Sequence, residues 1–380
     1  MKNRILIFFP HNIFINSAGC HSRCWSLIDF FQKLNFDIIF FSFSECDVYP
    51  WNEKDISLAS QYFYKSVIVS KADDYKNIFL NLSKDNDISH VLINYYGYTN
   101  LIYDSYFDKV IKICEIHDLA EHNSYMYNKV SVLLEDGFNP SSKLKKLHTY
   151  SNKEILNYNF VSNKEISEVQ ISGIKELKRY NLVLCISDFE NQVLKKNAIK
   201  NSIYFTYSKN DENCIPKKTR YFTDPIFIAS INPFNLQSYF AMRDVIQPSY
   251  KINIIGNIAE YIDRSQMFNV FGRVNDLSFF YKQTKFSLCP IVAGTGTKIK
   301  LIESMLNFTP VVCTDFSAIG TPLIDGENGY ISSNWDDFRS KSNELYDNNE
   351  LLIKFGMAAK ESVMEYISFE RNKEKIMEFI

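Results

Sequence analysis

The segment GTGTKIKLIESMLNFTPVVCT, residues 294–314, constrains what this chain can fold into more than any other stretch. It reads as a glycine loop, a helix and a buried strand in immediate succession. Gly294 and Gly296 admit backbone torsions that other residues resist, and they let a ligand approach the main chain. Ile299, Ile302 and Leu306 recur at helical spacing, which predicts a helix over about 297–307 with those three packed inward. Lys300 and Glu303 share the opposite face. Pro310, Val311 and Val312 open an apolar run of the kind buried in a parallel sheet. A helix start of this type offers free amides and a positive dipole end, so it is a site for phosphate. Lys300 then lies where a diphosphate would sit. Glu303, one turn on, is placed to accept hydrogen bonds from ribose hydroxyls. Taken singly, each part has an ordinary reading, and a Lys–Glu pair at this spacing is usually just solvated. The combination is what points to a nucleotide.

The rest of the chain alternates in the same way. Strands are expected at 5–9, 37–43, 66–69, 90–94, 110–115 and 181–186. Helices are expected at 19–34 and 75–84, with a longer helical region over 162–178. Residues 207–224 are polar, contain Pro216 and lack periodicity, and a second alternation starts at Ile226. The expected division is a first domain over 1–207, a linker over 208–224, a second domain over 225–365 and a C-terminal helix over 366–380 packed back on the first domain. A chain of 380 residues suits two such domains, each with its own core. The pattern is that of doubly wound parallel sheets.

Composition excludes several classes. With 46% hydrophobic and 15% aromatic residues the chain is not disordered. A formal charge of −2 and the lack of a basic–aromatic array give no footprint for nucleic acid. No apolar run approaches the ~20 residues of a membrane span. The stretch ILIFF before Pro10 is too short for a signal-peptide core and reads as a first strand, so a cytoplasmic protein is expected. Eight cysteines fit that expectation, with Cys114, Cys185, Cys289 and Cys313 in strand-like runs as reduced core residues.

The glycine-loop segment resembles the nucleotide-sugar half-site of GT-B glycosyltransferases, specifically the retaining family 4 of group 1 type. The commonest form of that family has two glutamates eight apart around this helix; Glu303 matches the second, and Thr295 stands at the first. A subset has a G-x-G-x-x-x-K run instead, which Gly294, Gly296 and Lys300 match. Upstream, FGRVNDLSFFYKQTKFSLCPIV resembles the family's glycine turn, helix and strand, with Gly272 ending a strand and the backbone around Arg273 and Val274 bordering the base. Downstream, IGTPLIDGENGYISSNWDDF resembles its "dg-nG" segment. The stretch FIASINPFN, which contains Ser230, resembles the strand and turn opening its C-terminal domain. Many relatives hold the diphosphate there with a basic pair. None occurs here between 226 and 242, which leaves that charge to Lys298 and Lys300.

The resemblance implies a GT-B fold, two Rossmann-like doubly wound α/β domains facing a central cleft. It implies transfer of a sugar, with retention, from a nucleotide-diphosphate donor to a hydroxyl of a glycan or lipid-linked acceptor. Bacterial surface polysaccharide synthesis is the expected setting. The implied donor-binding residues are Gly19, Ser230, Gly272, Arg273, Val274, Gly294, Thr295, Gly296, Thr297, Lys298, Lys300, Leu301 and Glu303, with His117 and Lys300 catalytic. In that family a histidine at the place of His117 contacts the transferred sugar; the ordinary reading is a strand-end histidine bonded to backbone. Gly19 opens a helix after the first strand. Asp188 and Glu190 in LCISDFE resemble a turn that is usually structural.

No metal is expected. Cys20, His21 and Cys24 lack a second ligand pair, and Asp85-Asn86-Asp87 reads as a solvated loop after a helix. The stretch SSKLKKLHTYSNK, 141–153, interleaves Lys143, Lys145, Lys146, His148 and Lys153 with apolar residues, which suits a peripheral contact with an anionic membrane face. Two other functions fit the fold. One is a non-catalytic GT-B protein that stabilises or targets a partner transferase. The other is an epimerase of nucleotide sugars, for which no extra acid–base carboxylates are identifiable.

Overall fold

The computed structural model describes residues 3–15, 19–46, 49–134, 149–161, 168–206, 223–262, 265–274 and 276–379. The chain divides into two compact units: Met1–Leu119 with Ile171–Lys209 and Ile367–Ile380, and Ala120–Gln170 with Asn210–Tyr366.

Unit 1 is a parallel sheet of seven strands: β1 (Arg4–Phe8), β2 (Asp37–Phe43), β3 (Lys65–Val69), β4 (His90–Asn94), β5 (Ile111–Ile116), β6 (Leu182–Cys185) and β7 (Ser202–Tyr204). Their order is β3-β2-β1-β4-β5-β6-β7. Alternate side chains feed two cores, as a pleat buried on both faces requires. Ile5, Ile7, Phe9, Ile38 and Phe40 pack with Leu27, Ile28, Phe30 and Phe31 of α1 (Gly19–Lys33). Leu6, Phe8, Ile39 and Phe41 face the other way, with Phe79 and Leu82. Glu53–Tyr62 forms α2, started by Asn52, whose side chain accepts from the Asp55 amide. Tyr75–Asp85 forms α3. The C-terminal helix (Phe369–Ile376) belongs to this unit: Ile376 enters the α1 core and Asn372 Oδ1 accepts from the Thr206 amide at 3.1 Å.

Unit 2 is a parallel sheet of six strands: β8 (Ile226–Ile228), β9 (Ile252–Ile255), β10 (Phe268–Gly272), β11 (Ser287–Cys289), β12 (Val311–Thr314) and β13 (Tyr330–Ser332). Their order is β10-β9-β8-β11-β12-β13. It also gathers residues that the sequence division assigned to the first domain. Ala120–Ser131 is α4, with His122, Met126 and Val130 buried on one stripe. The segment 149–161 is tied down by specific bonds. Gln237 donates to the Ile155 carbonyl at 2.9 Å, Trp335 Nε1 to that of Leu156 at 2.7 Å, and the Tyr158 hydroxyl to Asp315 at 3.0 Å.

The expected helix over 162–178 is largely absent where it is described. Residues 168–173 are turn and coil, and only Ile174–Leu177 are helical. Gly173, which precedes this short helix, lies against the Tyr96 ring, where an added Cβ would come within 2.3 Å. Residues 162–167, most of the linker (207–222) and most of the basic stretch (141–148) lie outside the described residues.

Candidate functional site

Each parallel sheet has a point where strand order reverses, and ligands of such folds bind beyond the strand C-termini there. In unit 2 that point is between β8 and β11. Ser230 follows β8, the loop 290–298 follows β11, Gly272 ends β10 and Arg273 and Val274 follow it, so all lie on one edge of the sheet. The two switch-point loops meet: an added Cβ on Gly294 would stand 3.5 Å from the Phe234 ring. Gly294 and Gly296 have φ of +138° and +67°, the left-handed side that favours glycine. Pro233–Ala241 (α5) starts here, with Pro233 in its first turn and Asn232 accepting from the Asn235 amide.

Ile299–Leu306 (α6) follows the glycine loop. It buries Leu301, Ile302, Met305 and Leu306, while Ile299 is half-buried. The Leu301 side chain is therefore part of the core and is not available to a ligand. Lys298 occupies the cap position without a capping side chain. The amides of Ile299 and Leu301 are bonded to the carbonyls of Thr297 and Lys298 at 2.9 Å, so the helix start offers fewer free donors than the sequence suggests. The Lys300 amide has no partner among the described residues. Lys298 Nζ donates to the Gly296 carbonyl at 3.1 Å and lies over the Phe316 ring. Lys300 Nζ donates to Glu303 Oε2 at 2.8 Å, and the Tyr281 hydroxyl approaches the same oxygen at 3.5 Å. Thr295 and Thr297 are half-buried, Ser230 and Arg273 exposed.

In unit 1 the reversal lies between β1 and β4. His11 follows β1, Tyr95 follows β4, and His117 follows β5. Gly19 is the first residue of α1. His117 is 8% exposed and stacks on Tyr95, centroids 4.4 Å apart. Its Nε2 is 3.0 Å from Asn94 Oδ1 and 3.3 Å from Glu115 Oε2. Glu115 is wholly buried and paired through Oε1 with Arg23 of α1, whose guanidinium also donates to the carbonyls of Phe205 and Cys185. Burial pushes the Glu115 carboxyl up, but His117 and Arg23 more than offset this and hold it below its ordinary range. Sequence reasoning missed this network. The available signal was a carboxylate inside the apolar strand IKICEI, which demands a buried partner.

The remaining candidates have structural places. Ser187 and Glu190 form a reciprocal cap at the start of helix Asp188–Lys196, and Glu190 Oε1 accepts from the Leu119 amide at 3.0 Å, bracing the turn after His117. Asn86 closes α3, donating to the Leu82 carbonyl at 2.7 Å. Among the described residues no group of three His, Cys, Asp or Glu is arranged to hold a metal. No helix among them is long and apolar enough to cross a membrane.

Two α/β units with parallel sheets define the class: this is a GT-B fold, shared with solved glycosyltransferases. Residues 238–348 match the family described as Glycosyl transferases group 1. HepE of Anabaena, solved in complex with UDP and glucose, superposes with a TM-score of 0.62 at 10% identity over 99% of this chain and 98% of that one. TarM, of S. aureus, gives 0.66 at 13% over 100% and 98%. Sucrose-phosphate synthase of Thermosynechococcus elongatus gives 0.63 at 11% over 99% and 98%. Among curated proteins none matches the chain significantly.

Proposed function

We propose that this chain is a retaining, metal-independent glycosyltransferase that moves a sugar from a nucleotide diphosphate to a glycan or lipid-linked hydroxyl. The observation that carries the reading is the Lys300–Glu303 pair on the outer face of a helix that starts at a sheet's switch point behind two positive-φ glycines. Lys300, Lys298 and the loop amides hold the diphosphate, and Glu303 holds the ribose. Gly272 and the backbone of Arg273 and Val274 border the base. The bond from the sugar's anomeric carbon to the diphosphate oxygen breaks, and a bond to the acceptor oxygen forms on the same face. The acceptor proton passes to the departing phosphate oxygen. Electrostatic stabilisation of that leaving group is the main contribution of the protein. His117 positions the sugar. The UDP in the HepE structure makes a uridine nucleotide the first donor to try.

Thermal shift with UDP, GDP, ADP, CMP and dTDP, followed by hydrolysis of the matching nucleotide sugars, tests this reading. Stabilisation by one nucleotide and release of its sugar are expected. No shift and no release with any of the five would sink it. The partner-stabilising alternative predicts that same silence together with co-purification of an active transferase.

The basic stretch 141–153 is assigned to the membrane face that presents a lipid-linked acceptor. Each lysine near an anionic surface is worth about 1 kcal/mol, so attachment should be weak and salt-sensitive. Co-sedimentation with anionic liposomes that is lost when Lys143, Lys145 and Lys146 become Glu is the expected result. Binding indifferent to lipid charge would remove the membrane role and leave the transferase reading intact.

A further inference from the structure

Buried charge in unit 1 converges on one imidazole nitrogen. Asn94 Nδ2 donates to the Phe8 carbonyl at 2.8 Å, and a carbonyl can only accept, so Asn94 Oδ1 is the atom facing His117. That oxygen lies 3.0 Å from Nε2. Glu115 Oε2 is buried, makes no hydrogen bond of its own among the described residues and lies 3.3 Å from the same nitrogen. Two acceptors facing Nε2 require that it carry the proton. Nδ1 is then the nitrogen without a hydrogen-bond partner among the described residues, and in the neutral ring it is an acceptor.

We propose that Glu115 is a positioning residue: held by Arg23, and together with Asn94, it fixes His117 as the Nε2–H tautomer. Nδ1 is thereby left to accept a hydrogen bond from a hydroxyl of the transferred sugar. The reach to the sugar rests on the transferase reading above; the tautomer does not. A carboxylate behind a histidine fixes the ring's tautomer and orientation, the same relation found where a carboxylate backs a metal-bound histidine. Phe9 also lies beside the His117 ring, centroids 6.0 Å apart. Tyr95, after β4, stacks on its face, centroids 4.4 Å apart. Glu115 is the carboxylate that both faces Nε2 and is locked by a guanidinium.

Glu115→Gln is the informative substitution. Arg23 has only donors, so the new amide oxygen must face it and the new NH2 must face His117 Nε2. That arrangement opposes a proton on Nε2. Long-range 15N–1H spectra of histidine-labelled protein should show the Nε2–H pattern for His117 in the wild type. In Glu115→Gln an Nδ1–H population should appear. With the donor found in the panel above, kcat of the variant should fall at least fivefold while the nucleotide's thermal shift is kept. The proposal stands only if the tautomer changes and kcat falls together. An Nδ1–H wild type, or a variant with either readout unchanged, overturns it. Should the variant not fold, the wild-type spectrum alone decides between the two tautomers. A wild type that turns over no nucleotide sugar defeats the transferase reading instead, and the spectrum then still reports on the tautomer.

Discussion

Lys300 Nζ and Glu303 Oε2 are 2.8 Å apart in the ligand-free protein, with the lysine half exposed and the glutamate largely covered. An exposed i,i+3 pair of this kind adds little stability, roughly 0.2–0.5 kcal/mol. Its two members can therefore be exchanged for ligand contacts at small cost.

Lys300→Ala should cut turnover at least roughly tenfold, because it removes a charge that grows in importance as the diphosphate leaves. Glu303→Ala should weaken nucleotide binding by about 1.5–3 kcal/mol, the range for a hydrogen bond to a charged group. Steady-state kinetics and nucleotide titration on folded variants check both. Unchanged values in both variants would show that this helix does not hold the donor.

Two glycines separate backbone strain from packing. Gly256 has φ +117°, and an added Cβ would stand 2.1 Å from the Ala229 carbonyl oxygen, between adjacent strands that cannot part. Gly272 has φ +75° and open space around its missing Cβ. Gly272→Ala should cost only the left-handed strain, about 1–2 kcal/mol. Gly256→Ala should cost at least twice that or prevent folding. Urea unfolding of the two variants gives the comparison, and equal losses would contradict the steric account.

Activity should persist in excess EDTA, since the proposed leaving-group stabilisation comes from Lys298, Lys300 and backbone amides. Assays with and without chelator and added Mn²⁺ check this; complete loss restored by Mn²⁺ would place a metal in the mechanism.

The legible parts of this fold are those whose signal is local. The glycine loop, apolar stripe and Val311–Val312 run sit within one short segment, so the strand after the loop and the Lys300–Glu303 face could be read directly. Six strands of unit 1 were equally plain because they are apolar runs, as burial on both faces demands, whereas the seventh, β7, is only the three residues Ser202–Tyr204 and was not expected. Several helices escaped, among them α2, α4, α5 and the helix Asp188–Lys196. In α2 only Ala59 is buried, so it carries almost no stripe. In α4 the stripe is His122, Met126 and Val130, of which one member is polar. The unit to which α4 and 149–161 belong was illegible too, because it depends on Gln237, Trp335 and Asp315, far away in sequence. Arg23 and Glu115, 92 residues apart, illustrate the same limit at the site. A buried glutamate announces that a partner exists, but only the fold says which.

Acid should destabilise the protein in a defined window through His21 and His90. Burial holds both imidazoles neutral, lowering them from 6.5 to about 4, with His11 and His117 adding to the effect on His21. The unfolded chain therefore takes up these protons first as pH falls below about 6.5, and between there and about 4 it binds more protons than the folded chain. Stability rises with pH across that window, so it is lost on acidification and the histidine contribution levels off below it. Each group contributes on the order of 1.4 kcal/mol per pH unit across its own window. Glu115 adds a loss at lower pH, because a carboxyl held below its ordinary value stabilises the fold only while it stays ionised. His21 packs edge-on to Tyr49 at 4.4 Å, a contact that phenylalanine can keep. Chemical denaturation from pH 7 to pH 4.5 should show falling stability in the wild type and a shallower fall in His21→Phe. Equal slopes in the two proteins would mean that His21 takes up its proton without unfolding cost.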